Sequence, residues 1–259
     1  MATHKNRVGI SVRKTLLKKI ARAIKQAQKK KNFDLILIHG AGSVGHQMAH
    51  RYGLRDGTKK DTTKWSGALQ TRVMDQKLNN TIAESFVSEG LRVVSAHTAT
   101  LVIQNNKTIS SFNLEIIKEA LEQNCIPLLY GDMVFDKILG MTICSGDTLA
   151  PYLAKKLHAQ KILFATDVSG IFDKDPYLHK NARLVEKIDL HEIDKKNNIE
   201  LSASHNLDVT GGLAGKIKNI ALKHDPSLQS IEIFNGLKEN NYDRALTGKN
   251  FPHTTIATQ

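Results

Sequence analysis

From residue 39 to residue 46 the chain reads His39-Gly40-Ala41-Gly42-Ser43-Val44-Gly45-His46. Glycines at this density let backbone N–H groups converge on an anion where side chains would block its approach. The run follows the apolar stretch Leu35-Ile36-Leu37-Ile38 and precedes a short helical stretch, a strand–loop–helix setting suited to phosphate. Two later loops carry related chemistry. Thr166-Asp167-Val168-Ser169-Gly170-Ile171-Phe172-Asp173-Lys174-Asp175-Pro176 puts Asp167 at the carboxyl end of the strand-like run Lys161–Ala165. Asp208-Val209-Thr210-Gly211-Gly212-Leu213-Ala214-Gly215-Lys216 places a lysine just after a glycine pair. The pair permits close backbone approach, and the ammonium screens charge gathering on phosphoryl oxygens in transit. A fourth stretch, Gly131-Asp132, Gly140 and Ser145-Gly146-Asp147, crosses a hairpin and enters a helix near Asp147; alone it is ordinary helix-cap chemistry.

Other chemistries fit these residues less well. Gly40-x-Gly42-x-x-Gly45 also matches a dinucleotide fingerprint, which requires a second strand ending in an acidic residue about 20 positions on. The region around Asp61 is Thr-Lys-Lys-Asp-Thr-Thr-Lys, polar and unlike a strand. His46 and His50 have the spacing of zinc-protease ligands, but Gln47 stands where the glutamate base belongs and no third ligand is evident. No metal-ligand set is assigned. Cys125 and Cys144, the two cysteines, form no C-x-x-C pair and sit in apolar, strand-like surroundings, so buried thiols are expected.

The elements that must hold these loops can be read from periodicity. Leu16, Leu17, Ile20, Ala21, Ile24 and Ala27 recur at three- and four-residue steps, which predicts an amphipathic helix over 11–30. A second helix is expected over about 66–89, followed by the strand Leu91–Val94, a helix over 114–123 and the strand Ile126–Leu129. Residues 134–143 read as a hairpin turning near Asp136. A helix over Asp147–Leu157, the strand Lys161–Ala165, a helix over 215–223 and strands at Ser230–Phe234 and Thr254–Thr258 complete the pattern. Buried strands alternating with helices predict an α/β fold with helices on both faces of the sheet and ligands at strand carboxyl ends. A soft boundary divides residues 1–157 from residues 158–259.

The 259 residues are 41% hydrophobic, enough for one large domain or two lobes. No stretch approaches the roughly 18 apolar residues of a membrane span, and Met1-Ala2-Thr3-His4-Lys5 has no apolar signal core; a cytoplasmic protein without a membrane partner is expected. The net charge of +12 is spread along the chain and no basic run is interleaved with stacking aromatics. That argues against nucleic acid and leaves an anionic small substrate or compositional drift.

The residues from His39 to His46, followed by Ala49, Tyr52-Gly53-Leu54 and Gly57, resemble the H-G-G-G-S-F-G-H…A…Y-G-L…G stretch of isopentenyl phosphate kinases, members of the amino acid kinase superfamily. The stretches from Gly131 to Asp147, Thr166 to Pro176 and Asp208 to Lys216 are similar to that superfamily's G-D-V-V…G…S-G-D, T-D-V-D-G-V-Y…D-P and D-V-T-G-G-M-x-x-K. The resemblance implies a three-layer α/β/α sandwich with a mainly parallel central sheet, the amino acid kinase or carbamate kinase-like architecture. It further implies an acceptor lobe followed by a nucleotide lobe, ATP with Mg2+, an alkyl monophosphate acceptor, and a homodimer. By position, His46, Gly146 and Ala41 inherit substrate binding. Gly42, Asp167, Gly212 and Lys216 inherit ATP binding, Lys5 and Lys216 catalysis, and Asp132 and Asp147 the orienting of a lysine or metal. Ala41 replaces a family glycine, and its methyl would be strained if the position needed positive φ; Ser169 replaces an aspartate in a turn. An alkyl-tail pocket would draw on Met74, Leu78, Ile82, Met141 and Ile143, residues that serve equally as core. The fosfomycin kinases share the glycine loop and histidine and supply the rival acceptor, a phosphonate. A nucleotide-binding homologue without catalysis is the rival of another class.

Members of this family begin with a strand, K-L-G-G-S and then T-x-K, whereas this chain opens on Thr3-His4-Lys5. Either Met1 is an internal methionine of a longer protein or the short form is genuine and impaired. The expectation is low kinase activity and poor stability for the short form, with turnover restored by an upstream in-frame Lys-x-Gly-Gly-Ser.

Overall fold

A computed structural model describes residues 3–6, 9–174, 176–189 and 226–257. The chain divides into two compact units, residues 2–149 and 150–259.

In the first unit, β1 (Thr3–Asn6) and β2 (Gly9–Val12) pair antiparallel. Helix α1 (Lys14–Lys30) buries Leu17, Ile20, Ala21, Ala23, Ile24 and Ala27, the stripe its periodicity requires, and ends in Lys29 and Lys30, which suit the negative end of the helix dipole. It packs on α3 (Thr62–Val87). Between them run β3 (Leu37–His39), α2 (Gly42–Arg51) and a 3-10 turn at Leu54–Asp56. The sheet that carries β3 is wholly parallel, in the order β3, β7 (Ile126–Tyr130), β4 (Val93–Ser95). β7 is buried along its whole length, as a central parallel strand must be. β3 and β4 begin two residues later than periodicity suggests, because the ladder to β7 starts only at Leu37 and Val93.

A second sheet in this unit has the order β6 (Thr108–Phe112), β5 (Val102–Asn105), β8 (Asp132–Asp136), β9 (Gly140–Cys144), with the short α4 (Thr98–Leu101) leading into it and α5 (Glu115–Glu122) leading out towards β7. The expected hairpin is the β8–β9 pair, and its turn follows Asp136. One carboxylate organises that corner: Asp136 accepts from the backbone N–H groups of Ile138 and Leu139 in its own turn, and of Asn106 and Lys107 in the neighbouring β5–β6 turn. Burial alone would raise its pKa, but these donors hold it below 3.8. The stabilisation is therefore present above pH 3.8 and lost as pH falls through the depressed folded value. Asp136→Asn is expected to destabilise the fold by on the order of 2 kcal/mol at neutral pH, with the deficit shrinking below pH 3.8 in urea melts.

Helix α6 (Gly146–Lys156) runs across the division between the units. The second unit has the sheet order β10 (Lys161–Thr166), β12 (Ser230–Asn235), β13 (His253–Ala257), β11 (Lys187–Asp189), joined by parallel, antiparallel and parallel pairing. Ile162, Ile171, Ile188, Ile231, Ile233 and Ile256 form its core, and α7 (Asn240–Thr247) adds Ala245 beside Phe234 and Phe251. The α/β architecture follows the alternation read from the sequence. The expected helix over 215–223 lies outside the described residues. No described helix is long and apolar enough to cross a membrane.

Candidate active site

At the carboxyl end of the parallel sheet, β3 delivers His39 and β7 delivers Tyr130, paired in register. The chain leaves β3 through Gly40 and Ala41 and enters α2 at Gly42, whose φ of +63° is a conformation that favours glycine. Ala41 has φ −62° and ψ −9°, so its methyl is unstrained, and the departure from the family glycine costs no backbone energy. Ala41, at the N-cap of α2, makes no side-chain capping hydrogen bond. The first N–H groups of a helix and the positive end of its dipole suit an anion.

A second helix N-terminus meets this loop. The Gly131 N–H donates to the His39 carbonyl at 3.0 Å. A Cβ on Gly146, the first residue of α6, would stand 3.2 Å from Ile38 and 3.8 Å from the His39 oxygen. Ser145 accepts from the Thr148 N–H at 3.2 Å and starts the helix, as its hydroxyl chemistry predicts. The loop after β3 and the start of α6 are therefore neighbours at one sheet edge.

Behind the loop lies a polar layer in which His39 and Asp132, both part of the sequence motifs, meet residues of α3 that those motifs do not include. His39 places Nδ1 3.0 Å from the Gly40 carbonyl and Nε2 3.2 Å from the Asn79 side-chain oxygen, and it stacks on Tyr130 with centroids 5.3 Å apart. Burial lowers its pKa from 6.5. Tyr130 is fully buried, and its hydroxyl lies 2.8 Å from His97 Nδ1; burial first, and the Asp132 charge second, push its pKa up. Asn79 donates to Ser95 Oγ at 2.9 Å, tying α3 to the end of β4.

Asp75 and Asp132 are each 2% exposed. Asp132 accepts from the Met133 N–H at 2.8 Å and lies 3.6 Å from Arg72 Nε. Burial pushes its pKa up to about 6, with Arg72 resisting the shift. For Asp75, burial together with the charge of Asp132 pushes the pKa up to about 8. A folded pKa above 3.8 means that the fold holds a proton the unfolded chain has released, so stability present at low pH is lost as pH rises through 8. Asp75→Asn, which keeps the shape without the charge, is expected to melt higher than wild type. The gap should widen by several degrees between pH 5 and pH 8.5, 1 kcal/mol being worth roughly 2–4 °C in a chain of this size; thermal melts across that range check it.

Of the residues singled out from sequence, Ala41, Gly42, His46 and Gly146 fall within the first unit, the first three on one loop and helix. His46 is solvent-exposed on α2. Lys5 lies on β1, opposite Ile10 of β2, and β1 packs against α2. Asp167 follows β10 in the second unit, where the Thr166 hydroxyl donates to its side chain at 3.1 Å and the Asn235 amide donates to its carbonyl at 3.2 Å. Gly212 and Lys216 lie outside the described residues. Asp61, at the spacing where a dinucleotide fold needs its acidic strand end, instead caps α3 by accepting from the Lys64 N–H at 3.0 Å. Of the residues expected around an alkyl tail, Met141 is fully buried in a cluster with Ala49, Leu54, Ala68 and Met133, with Ile143 packed against it; Leu78 and Ile82 are buried and Met74 is 37% exposed. Cys144 is buried, which pushes its thiol up to about 12.

The polar layer had one signal in the sequence. Thr71, Asp75 and Asn79 recur every four residues on a face that also carries Leu78 and Ile82, and a polar ladder on the apolar side of a helix needs partners.

Comparison with known proteins gives this arrangement its relatives. The amino acid kinase family matches residues 3–222. The isopentenyl phosphate kinase of Methanocaldococcus jannaschii is 35% identical, the alignment covering 93% of this chain and 90% of that one. Its counterpart in Methanothermobacter thermautotrophicus is 31% identical over 86% and 84%. A solved structure of isopentenyl phosphate kinase superposes with a TM-score of 0.82 at 26% identity, covering 99% of this chain and 96% of that one. Fold, loops and sequence agree, and the chain belongs to the amino acid kinase family, on its isopentenyl phosphate kinase branch.

Proposed function

We propose that this protein transfers the γ-phosphoryl group of ATP to isopentenyl phosphate, giving isopentenyl diphosphate. The observation that carries the reading is the meeting of two helix N-termini, α2 at Gly42 and α6 at Gly146, at the carboxyl end of β3 and β7. Two helix starts beside the end of one strand suit an anionic acceptor and the phosphates of a donor together. The named relatives supply the acceptor's identity.

The reaction is an in-line displacement in which an acceptor phosphate oxygen attacks the γ-phosphorus and ADP leaves, so no covalent enzyme intermediate is required. Acceleration comes from positioning and charge stabilisation. In this reading Ala41, His46 and Gly146 hold the acceptor phosphate by imidazole and backbone donors. Gly42, Asp167, Gly212 and Lys216 place ATP, and Lys5 and Lys216 neutralise charge developing on the transferred group. The described residues bring together no group of three or more His, Cys, Asp or Glu that could hold a metal ion. Magnesium is assigned to the ATP phosphates, where it neutralises charge. A homodimer is part of the same proposal.

Acceptor profiling by coupled ADP release tests the assignment. Isopentenyl phosphate should give the highest kcat/KM, with N-acetylglutamate unused. Turnover of a phosphonate such as fosfomycin without turnover of isopentenyl phosphate would replace this acceptor with that one.

A further inference from the structure

Gly45 closes the phosphate loop, and its position is set by what lies beneath it. A Cβ there would stand 2.3 Å from the Ala41 methyl and 3.0 and 3.6 Å from the two Asp75 carboxyl oxygens. Asp75 is 2% exposed, and its Oδ1 is buried without a hydrogen-bond partner. Asp132 Oδ2 is also buried without a hydrogen-bond partner, as is Arg72 Nε, which stands 3.6 Å from Asp132 Oδ1 as an ion pair. One turn further along α3, Asn79 holds His39 at the other end of the loop. The same helix face thus touches the loop at its first residue and at its closing glycine.

Buried unpartnered carboxyl oxygens cost stability, and an apolar side chain of similar size at position 75 would pack without that cost. An arrangement that destabilises the fold directly beneath an anion-binding loop points to a demand other than stability. We propose that Asp75 is a positioning residue for the acceptor: wedged under Gly45, its carboxyl fixes how closely the α2 N-terminus approaches the acceptor phosphate, with the buried Asp132 and the half-buried Arg72 as its neighbours. The inference rests on the acceptor reading given above. Its groups face one another from three elements: Asp75 and Arg72 from α3, Asp132 from β8 and Tyr130 from β7.

Three substitutions separate positioning from packing. Asp75→Asn keeps a polar wedge of the same shape, Asp75→Leu makes it apolar, and Asp75→Ser removes most of it. Calorimetry on the full chain would measure binding of isopentenyl phosphate, inorganic phosphate and ADP to each, with a thermal melt for each variant. The expected pattern is a Kd for both phosphate probes within about threefold of wild type for Asp75→Asn and weakened at least tenfold for Asp75→Leu and Asp75→Ser, while the ADP Kd holds. If Asp75→Leu does not fold, Asp75→Ser carries the comparison. Variants that change only the melting temperature, or that weaken ADP and phosphate equally, would overturn the positioning role. Wild type that binds inorganic phosphate but not isopentenyl phosphate would defeat the acceptor assignment, and the phosphate series would still decide the role of Asp75. Wild type that binds neither would overturn both.

Discussion

Lys216→Met is expected to lower kcat about 10²- to 10³-fold while leaving the Kd of the acceptor within about twofold of wild type. The transferred phosphoryl group carries charge spread over its equatorial oxygens, and a fixed cation beside them is worth more in the transition state than in the ground state. By the resemblance of Asp208-Val209-Thr210-Gly211-Gly212-Leu213-Ala214-Gly215-Lys216 to the family motif, the glycine pair is expected to let the backbone close on phosphate and Lys216 to reach the oxygens beyond. Methionine preserves the length and apolar stem of the side chain, so the loss reports the ammonium. Rapid-quench measurement of the chemical step would check it. An unchanged rate would remove Lys216 from the catalytic set, and an equal loss of ATP binding and rate would make it a ground-state contact.

His46→Ala should raise the KM for isopentenyl phosphate roughly 10- to 150-fold with little change in the KM for ATP. A hydrogen bond to a charged group contributes about 1.5–3 kcal/mol, and that range sets the span. His46 sits in the second turn of α2 and is solvent-exposed, on the helix that begins at Gly42. His46→Asn retains a neutral donor and should recover part of the loss. Initial rates over a matrix of both substrate concentrations separate the two KM values. Equal effects on both would identify His46 as a support of the helix instead of an acceptor ligand.

Much of the framework could be read directly from the sequence because it is written in local periodicity. The apolar stripe from Leu17 to Ala27 and the continuous run around Ile126–Tyr130 specify a one-faced helix and a strand covered on both sides. The glycine loop was equally legible, since Gly42 has the positive φ that such a turn favours. Residues 98–113 resisted the same reading. Their β5–β6 turn places Asn106 at φ +49° and Lys107 at φ +65° without a glycine. What holds that turn is the distant Asp136 carboxylate, which accepts from both backbone N–H groups. The α3 side of the polar layer escaped for a related reason. Asp75 in a helix looks like a solvated residue, and only the long-range approach of Gly45 and Asp132 buries it. Ala41, which replaces a family glycine, would be strained only at positive φ, and its αR backbone avoids that strain.

The reaction itself is tested most directly by following where the phosphorus goes. With the protein at high concentration, [γ-32P]ATP, magnesium and isopentenyl phosphate would be sampled through a single turnover and the products separated. The account predicts that label leaves ATP and appears as the terminal phosphoryl of isopentenyl diphosphate, in step with ADP. Label that is released as inorganic phosphate, or that stays on ATP while isopentenyl phosphate is bound, would contradict it.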